Sequence, residues 1–250
     1  MRPLFSEFSF GFSISHEIQT AVGRSTRSAP VLPSLLDERK LGWDVKFRLQ
    51  GLSIFLQFKR SDYLQTKRAR EWAHFRTPYY RFPVYRVSES PQHNLLVGLS
   101  AKEPHVYYCA PMFHTDAEFN RYFMNHAVLG HSVLISLRAL PRILDKGSHH
   151  IVYAPSHGLF LSDATPLNMV IADKRISDLM YNFDRWRSKD PKDITLTYLQ
   201  SLWDSLITII VANDSPPPEL EPNSRNPADL VRALRLVLRT YYGLEWILIS

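Results

Sequence analysis

Apolar and polar positions recur along this chain with two different periods, and the changes of period mark its elements. Ile14, Ile18 and Ala21 stand at helical spacing in Gly11 to Val22, with Glu17 beside the stripe, which predicts a short helix. Gly23 to Pro33, rich in Ser, Arg and Pro, reads as a connection. Trp43 to Leu49 and Leu52 to Lys59 are β-type runs joined by Gln50-Gly51, a link of hairpin length. Ser61 to Arg76, with Ala69, Trp72 and Ala73 on one side and Pro78 behind it, predicts a helix. Strand patterns follow in Tyr79 to Val87, Leu95 to Leu99 and Val106 to Ala110. Thr115 and Glu118 form a capping box that opens a helix through His126, striped by Phe119, Tyr122 and Phe123. Strands return at Val133 to Leu137 and Ile151 to Ala154.

From Asn168 the pattern is helical, in Ile176 to Arg187, Leu196 to Val211 and Ala228 to Tyr241, the last opened by Asn226 as cap and Pro227 as first helical residue. Asp214 to Arg225, with Pro216, Pro217, Pro218 and Pro222, reads as an extended linker. The expected fold is therefore α/β, a mixed central sheet flanked by helices over residues 1–167, followed by a helical C-terminal region, 168–250, with its Pro-rich linker at 214–225.

Composition narrows the classes. A chain of 250 residues, 45% hydrophobic and 22% charged, can bury a core without staples. One cysteine, Cys109 in the apolar run VYYCA, excludes an internal disulfide and a multi-thiolate zinc site, and is expected to be a buried core thiol. Ser6, Glu7, Ser9 and Ser13 interrupt the apolar start, and the run Leu206 to Ala212 is far below the roughly 20 residues of a membrane span. A cytoplasmic protein without membrane association is the expectation. The signatures of P-loop, Rossmann, zincin and serine-hydrolase sites are missing from the sequence.

Charge is more informative. Arg39 to Arg86 holds twelve basic residues against three acidic ones, Asp44, Asp62 and Glu71, so the positive charge of the chain belongs to this fifth of it. A polyanion, hence nucleic acid, is the natural partner, with Lys46, Arg48, Arg60, Lys67, Arg68, Arg70 and Arg76 as the contacts. A solvated basic face is the plainer alternative.

Within that segment, a loop at Gln50-Gly51 sets the hairpin's parity. Val45, Phe47, Leu49, Leu52, Ile54, Leu56 and Phe58 fall on one, apolar face; Asp44, Lys46, Arg48, Ser53, Phe55, Gln57 and Lys59 fall on the other. An acid, an amide and an ammonium are thus expected side by side on neighbouring strands.

This arrangement resembles the PD-(D/E)XK nuclease superfamily of restriction-endonuclease-like fold, in which a strand carrying Asp is followed across a turn by a strand carrying Glu or Gln, any residue, then Lys. Asp44 matches the first element and Gln57-Phe58-Lys59 the second, in the Gln form of the Mrr-like members; Trp43 stands where the family has Pro. Glu17, with Glu38 as a second candidate, takes the place of the family's upstream helical glutamate. The match covers residues 10 to 60. It implies a nuclease dependent on Mg²⁺ or Mn²⁺, with DNA ahead of RNA as the expected substrate, of a defence (including antiviral), restriction or repair type. Asp44, Gln57, the Phe58 carbonyl and Glu17 would hold the metal, and Lys59 would steer the hydroxide and stabilise the charge developing on phosphorus. Two other readings stay open: a catalytically inactive nucleic-acid-binding relative, and an interaction subunit whose C-terminal helices dock a protein partner.

Other residues invite chemistry less. His149 and His150 are adjacent on a strand and point to opposite faces, so they do not share an ion. Tyr79, Tyr80, Phe82 and Tyr85, interleaved with Arg76, Arg81 and Arg86, could stack bases or fill the core.

Overall fold

A computed structural model describes residues 1–22, 52–86, 89–161, 165–166, 169–171 and 195–249. In chain order these form α1 (Glu7–Val22), β1 (Leu52–Phe58), β2 (Asp62–Leu64), α2 (Trp72–Phe75), β3 (Tyr79–Val84), α3 (Gln92–Ser100), β4 (Val106–Pro111), α4 (Asp116–Met124), β5 (Ser132–Ser136), β6 (His149–Ala154), β7 (His157–Leu161), β8 (Thr165–Pro166), β9 (Met169–Ile171), α5 (Leu196–Ala212), α6 (Pro227–Tyr242) and β10 (Glu245–Ile249). The class is mixed α/β, as expected. Among the described residues no helix is long and apolar enough to cross a membrane.

Two five-stranded sheets carry the fold, one in the order β10-β1-β4-β5-β9 and the other β2-β3-β6-β7-β8. In the first, β1 runs parallel to β4 and every other pair is antiparallel. The parallel pair needs a crossover, and α3 lies within it. One face of this sheet, with Ile54, Leu56, Tyr107, Cys109 and Leu134, packs on Phe10, Ile14 and Ile18 of α1 and on Phe119, Tyr122 and Phe123 of α4. The opposite face, with Phe55, Val106, Tyr108, Val133 and Ile135, packs on α3, α5, α6 and the Tyr80, Phe82, Ile151, Tyr153 side of the second sheet. Every residue of β4 is buried, as a strand covered on both faces requires.

The local signals explain much of this. The Thr115–Glu118 capping box is present, with the Glu118 backbone N–H donating to Thr115 Oγ1 at 3.2 Å and the Thr115 N–H to the Glu118 carboxylate at 3.0 Å. Asn226 caps α6, and Leu230, Leu234, Val237 and Leu238 bury its apolar side. Cys109 is buried, and burial pushes its thiol well up.

Three expectations are corrected. Residues 61–76 are not one helix: Asp62 to Leu64 pair with β3 as a strand, and only Trp72–Phe75 is helical, ended by Arg76 at φ 56°. Asp62 to Leu64 gain ladder hydrogen bonds from β3, and Ala69, Trp72 and Ala73 offer too little apolar area to hold a longer helix. Leu95 to Leu99 is helix rather than strand, because a short apolar run does not declare its own period. Here Leu95, Leu96 and Leu99 share one buried side, while Asn94 clamps Ile143, donating to its carbonyl and accepting its N–H, both at 2.8 Å.

Third, Phe55 and Leu56 have both edges occupied, by β10 and by β4, so Leu56 pairs with Glu245 and Tyr107 and not with the Val45 counted from a Gln50-Gly51 loop. The first strand of that hairpin, with Asp44, Lys46 and Arg48, lies outside the described residues, as do Glu38 and the expected helix at 176–187. Beyond these, α5 and α6 share a core with β3, β4 and β6, and β10 extends the first sheet.

Candidate functional site

Strand β1 alternates between its two cores, and this places Gln57 and Lys59 together. Ile54, Leu56 and Phe58 turn toward α1, where the Phe58 ring meets Phe10 edge-on at 6.0 Å; Phe55, Gln57 and Lys59 turn toward the other face. The expected parity holds, with one correction. The face read as polar is a second core, in which Phe55 and Gln57 are buried, because helices cover β1 on both sides.

Lys59 closes the strand. Its backbone N–H donates to the Cys109 carbonyl at 2.9 Å, and its ammonium lies 5.7 Å from the centre of the Tyr108 ring. It lines a small cleft, about 210 Å³ including its open mouth, with Pro83, Val84, Tyr85, Ser90, Gln92, His93 and Tyr108. Among the described residues no carboxylate lies within ion-pair distance of it. Burial holds its pKa below the ordinary lysine value, and the charge of Glu7 offsets this only in part. The cleft therefore presents a partly desolvated cation that has no ion-pair partner among the described residues.

The wall behind the cation is fixed. His93 sits 2.9 Å from the Pro141 carbonyl through Nε2 and 2.9 Å from the Tyr108 hydroxyl through Nδ1. Burial lowers its pKa to about 4, so the ring is neutral near pH 7, donates from Nε2 and accepts the Tyr108 proton at Nδ1. Neither group is free for proton transfer.

Among the described residues Gln57 Oε1 is buried with no hydrogen-bond partner. The side-chain nitrogens of Gln57 and Gln92 converge on Gly243, whose absent Cβ would lie 3.1 Å from the first and 1.9 Å from the second. Gly243 ends α6 at φ +60°, its N–H donating to the Arg239 carbonyl and that of Leu244 to the Leu238 carbonyl. Gly243→Ala should lower stability by about 1–2 kcal/mol through the left-handed backbone alone. It should also drive Gln92 from its place, so a melting curve and anion binding at Lys59 should change together.

Glu17 is elsewhere. It is buried on the α1 side of the sheet, its two carboxylate oxygens accepting the backbone N–H groups of Val128 and Leu129, both at 2.8 Å. Burial raises its pKa, against the opposing effect of those two hydrogen bonds. Its chemistry is that of a cap on the turn at 129–131, and it is not brought to Gln57 and Lys59.

Mg²⁺ or Mn²⁺, as the nuclease resemblance implies, takes oxygen donors. Gln57 Oε1, a buried acceptor without a partner, fits that need. So does the Phe58 carbonyl: the Lys59 N–H points to β4, so the carbonyl of the same planar peptide points to the other edge, beyond Leu56, where β10 has ended. Glu17 does not fit, since both its oxygens are used. Among the described residues no three His, Cys, Asp or Glu side chains gather as a cation site. His149 and His150 do point apart; His149 is buried and sits 2.9 Å from Asp145 Oδ1.

Of the expected nucleic-acid contacts, Arg60, Lys67, Arg68, Arg70 and Arg76 are exposed, and none of them is in an ion pair among the described residues. Arg81 is not part of this surface, because Glu71 holds it at 3.2 Å; Glu71 is buried and also accepts the Tyr79 hydroxyl at 2.8 Å. Sequence reasoning missed Ser90, Gln92 and Gly243. The residues 90–92, Ser-Pro-Gln, carried a helix-start signal that the strand reading of Leu95 to Leu99 obscured.

Comparison of the chain with protein-family models, with curated proteins and with solved structures finds no match.

Proposed function

We propose that the chain is a nucleic-acid phosphodiester hydrolase of the PD-(D/E)XK-like kind, acting on DNA in a defence, restriction or repair setting, with the reacting phosphate held at Lys59. The observation that carries this reading is the partly desolvated ammonium of Lys59, in no ion pair among the described residues and lining an open cleft, with Gln57, whose buried Oε1 has no partner among them, two residues before it on the same face of β1. A phosphate oxygen supplies the anion that Lys59 lacks, and the interaction strengthens as charge grows on phosphorus in the transition state.

Asp44, Gln57 Oε1 and the Phe58 carbonyl would hold Mg²⁺ or Mn²⁺, which when bound lowers the pKa of water and draws charge from phosphate. The chain's own part is to bind the phosphate through Lys59, to keep Tyr108 and neutral His93 as an inert wall, and to gather the polyanion on Arg60, Lys67, Arg68, Arg70 and Arg76. The test is nicking of plasmid and of single-stranded DNA and RNA with Mg²⁺, Mn²⁺ or EDTA.

The inactive nucleic-acid-binding relative is favoured by one observation, the commitment of Glu17 to Val128 and Leu129. Binding without cleavage under every metal condition would select it. Both readings require phosphate contacts on the basic surface. Affinity for duplex DNA should fall steeply with salt, and replacing Lys67, Arg68 and Arg70 by Glu should flatten the log–log slope by about 0.9 for each phosphate no longer neutralised. A slope unchanged by the triple substitution would remove this surface from the interface.

A further inference from the structure

Four aromatic residues on and just beyond β3 divide sharply in the folded chain. Tyr79, Tyr80 and Phe82 are 0%, 7% and 0% exposed and belong to the cores on the two faces of the second sheet. Tyr85, one residue past the end of β3, is 51% exposed. Its ring makes no aromatic contact and its hydroxyl no hydrogen bond with any described residue, and it lines the cleft that holds Lys59, Ser90 and Gln92. The Tyr85 ring is thus left half in water on the lining that also carries Lys59.

We propose that Tyr85 is a stacking platform for an unpaired nucleobase whose phosphate is held by Lys59, so that the cleft selects single-stranded or flipped-out nucleotides. The proposal rests on the phosphate reading of Lys59. Two physical arguments carry it. A nucleotide offers an anion and a flat π-face within one unit, and the cleft offers a cation and an uncovered ring along one wall. The exposed face of the Tyr85 ring is open only to an unpaired base, because in a stacked duplex both faces of each base are already covered. Ser90 and Gln92, polar and on the same cleft, supply hydrogen-bonding groups at the base edge.

The experiment measures binding of the full chain, in EDTA, to a short single strand carrying 2-aminopurine and to the corresponding duplex. Wild type should bind the single strand more tightly and quench the probe. Tyr85→Ala should lose about 10-fold in single-strand affinity, the order of one stacked base, together with the quenching, and leave duplex affinity unchanged. Tyr85→Phe should behave as wild type. Equal losses for single strand and duplex, or no loss for either, would overturn the proposal. Lys59→Ala separates the two readings: if it leaves both affinities intact while Tyr85→Ala retains its selective loss, the phosphate assignment fails and the stacking site stands. A selective loss in Lys59→Ala with none in Tyr85→Ala removes the stacking site and keeps the phosphate assignment.

Discussion

Replacing Lys59 by Ala is expected to reduce phosphodiester cleavage by about 10²-fold or more, the loss typical of removing one charge-stabilising contact from a transition state, and to leave the protein folded. The second half follows from the site itself. Lys59 forms no ion pair among the described residues, and burial disfavours its charged form by more than the charge of Glu7 favours it, so the fold loses little when the ammonium goes. Melting curves recorded beside nicking rates check both halves. Phosphate affinity should weaken as pH rises through the lowered pKa of Lys59, hence at a lower pH than for an ordinary lysine, and this dependence should vanish in Lys59→Ala. Asp44→Ala offers the contrast, since it should lose metal binding along with cleavage. A folded Lys59→Ala protein that cleaves like wild type would falsify the mechanism.

Glu17→Ala should act on stability instead. It strips both acceptors from the buried N–H groups of Val128 and Leu129, and each unpaired group costs about 1–3 kcal/mol, so a loss on the order of 2–5 kcal/mol is expected in denaturant melts. Glu17→Gln, which keeps one acceptor oxygen, should lose about half as much. The pH dependence has a definite sign. A carboxyl whose folded pKa lies above its unfolded value near 4.5 binds more protons when folded. Its contribution is therefore fully present below that value and declines as pH rises through the folded one. Both variants should flatten this part of the pH–stability curve. Unchanged stability, with metal affinity lost, would return Glu17 to the metal site.

These two residues mark the limit of what the sequence discloses. Period and chemistry along the chain were enough for α1, β4, β5, β6, α4 with its capping box and α6 with its Asn226-Pro227 start, because each of those signals is local. They were also enough for the alternation that puts Gln57 and Lys59 on one face, since strand parity needs only counting. Partners were not legible. That β1 lies between β10 and β4 depends on a strand nearly two hundred residues away in sequence, and that closure turns the polar face of β1 into a second core. The role of Glu17 was settled by two backbone N–H groups more than one hundred residues further along the chain, which no spacing near Glu17 announces. Of the aromatic run, the sequence could say only that stacking and packing competed; the burial of Tyr79, Tyr80 and Phe82 and the exposure of Tyr85 were decided where β3 ends and the cleft begins. Local signals determine which residues form an element and which share its faces, but what covers each face is set by long-range packing, and the chemistry available to Glu17, Lys59 and Tyr85 depends on that cover.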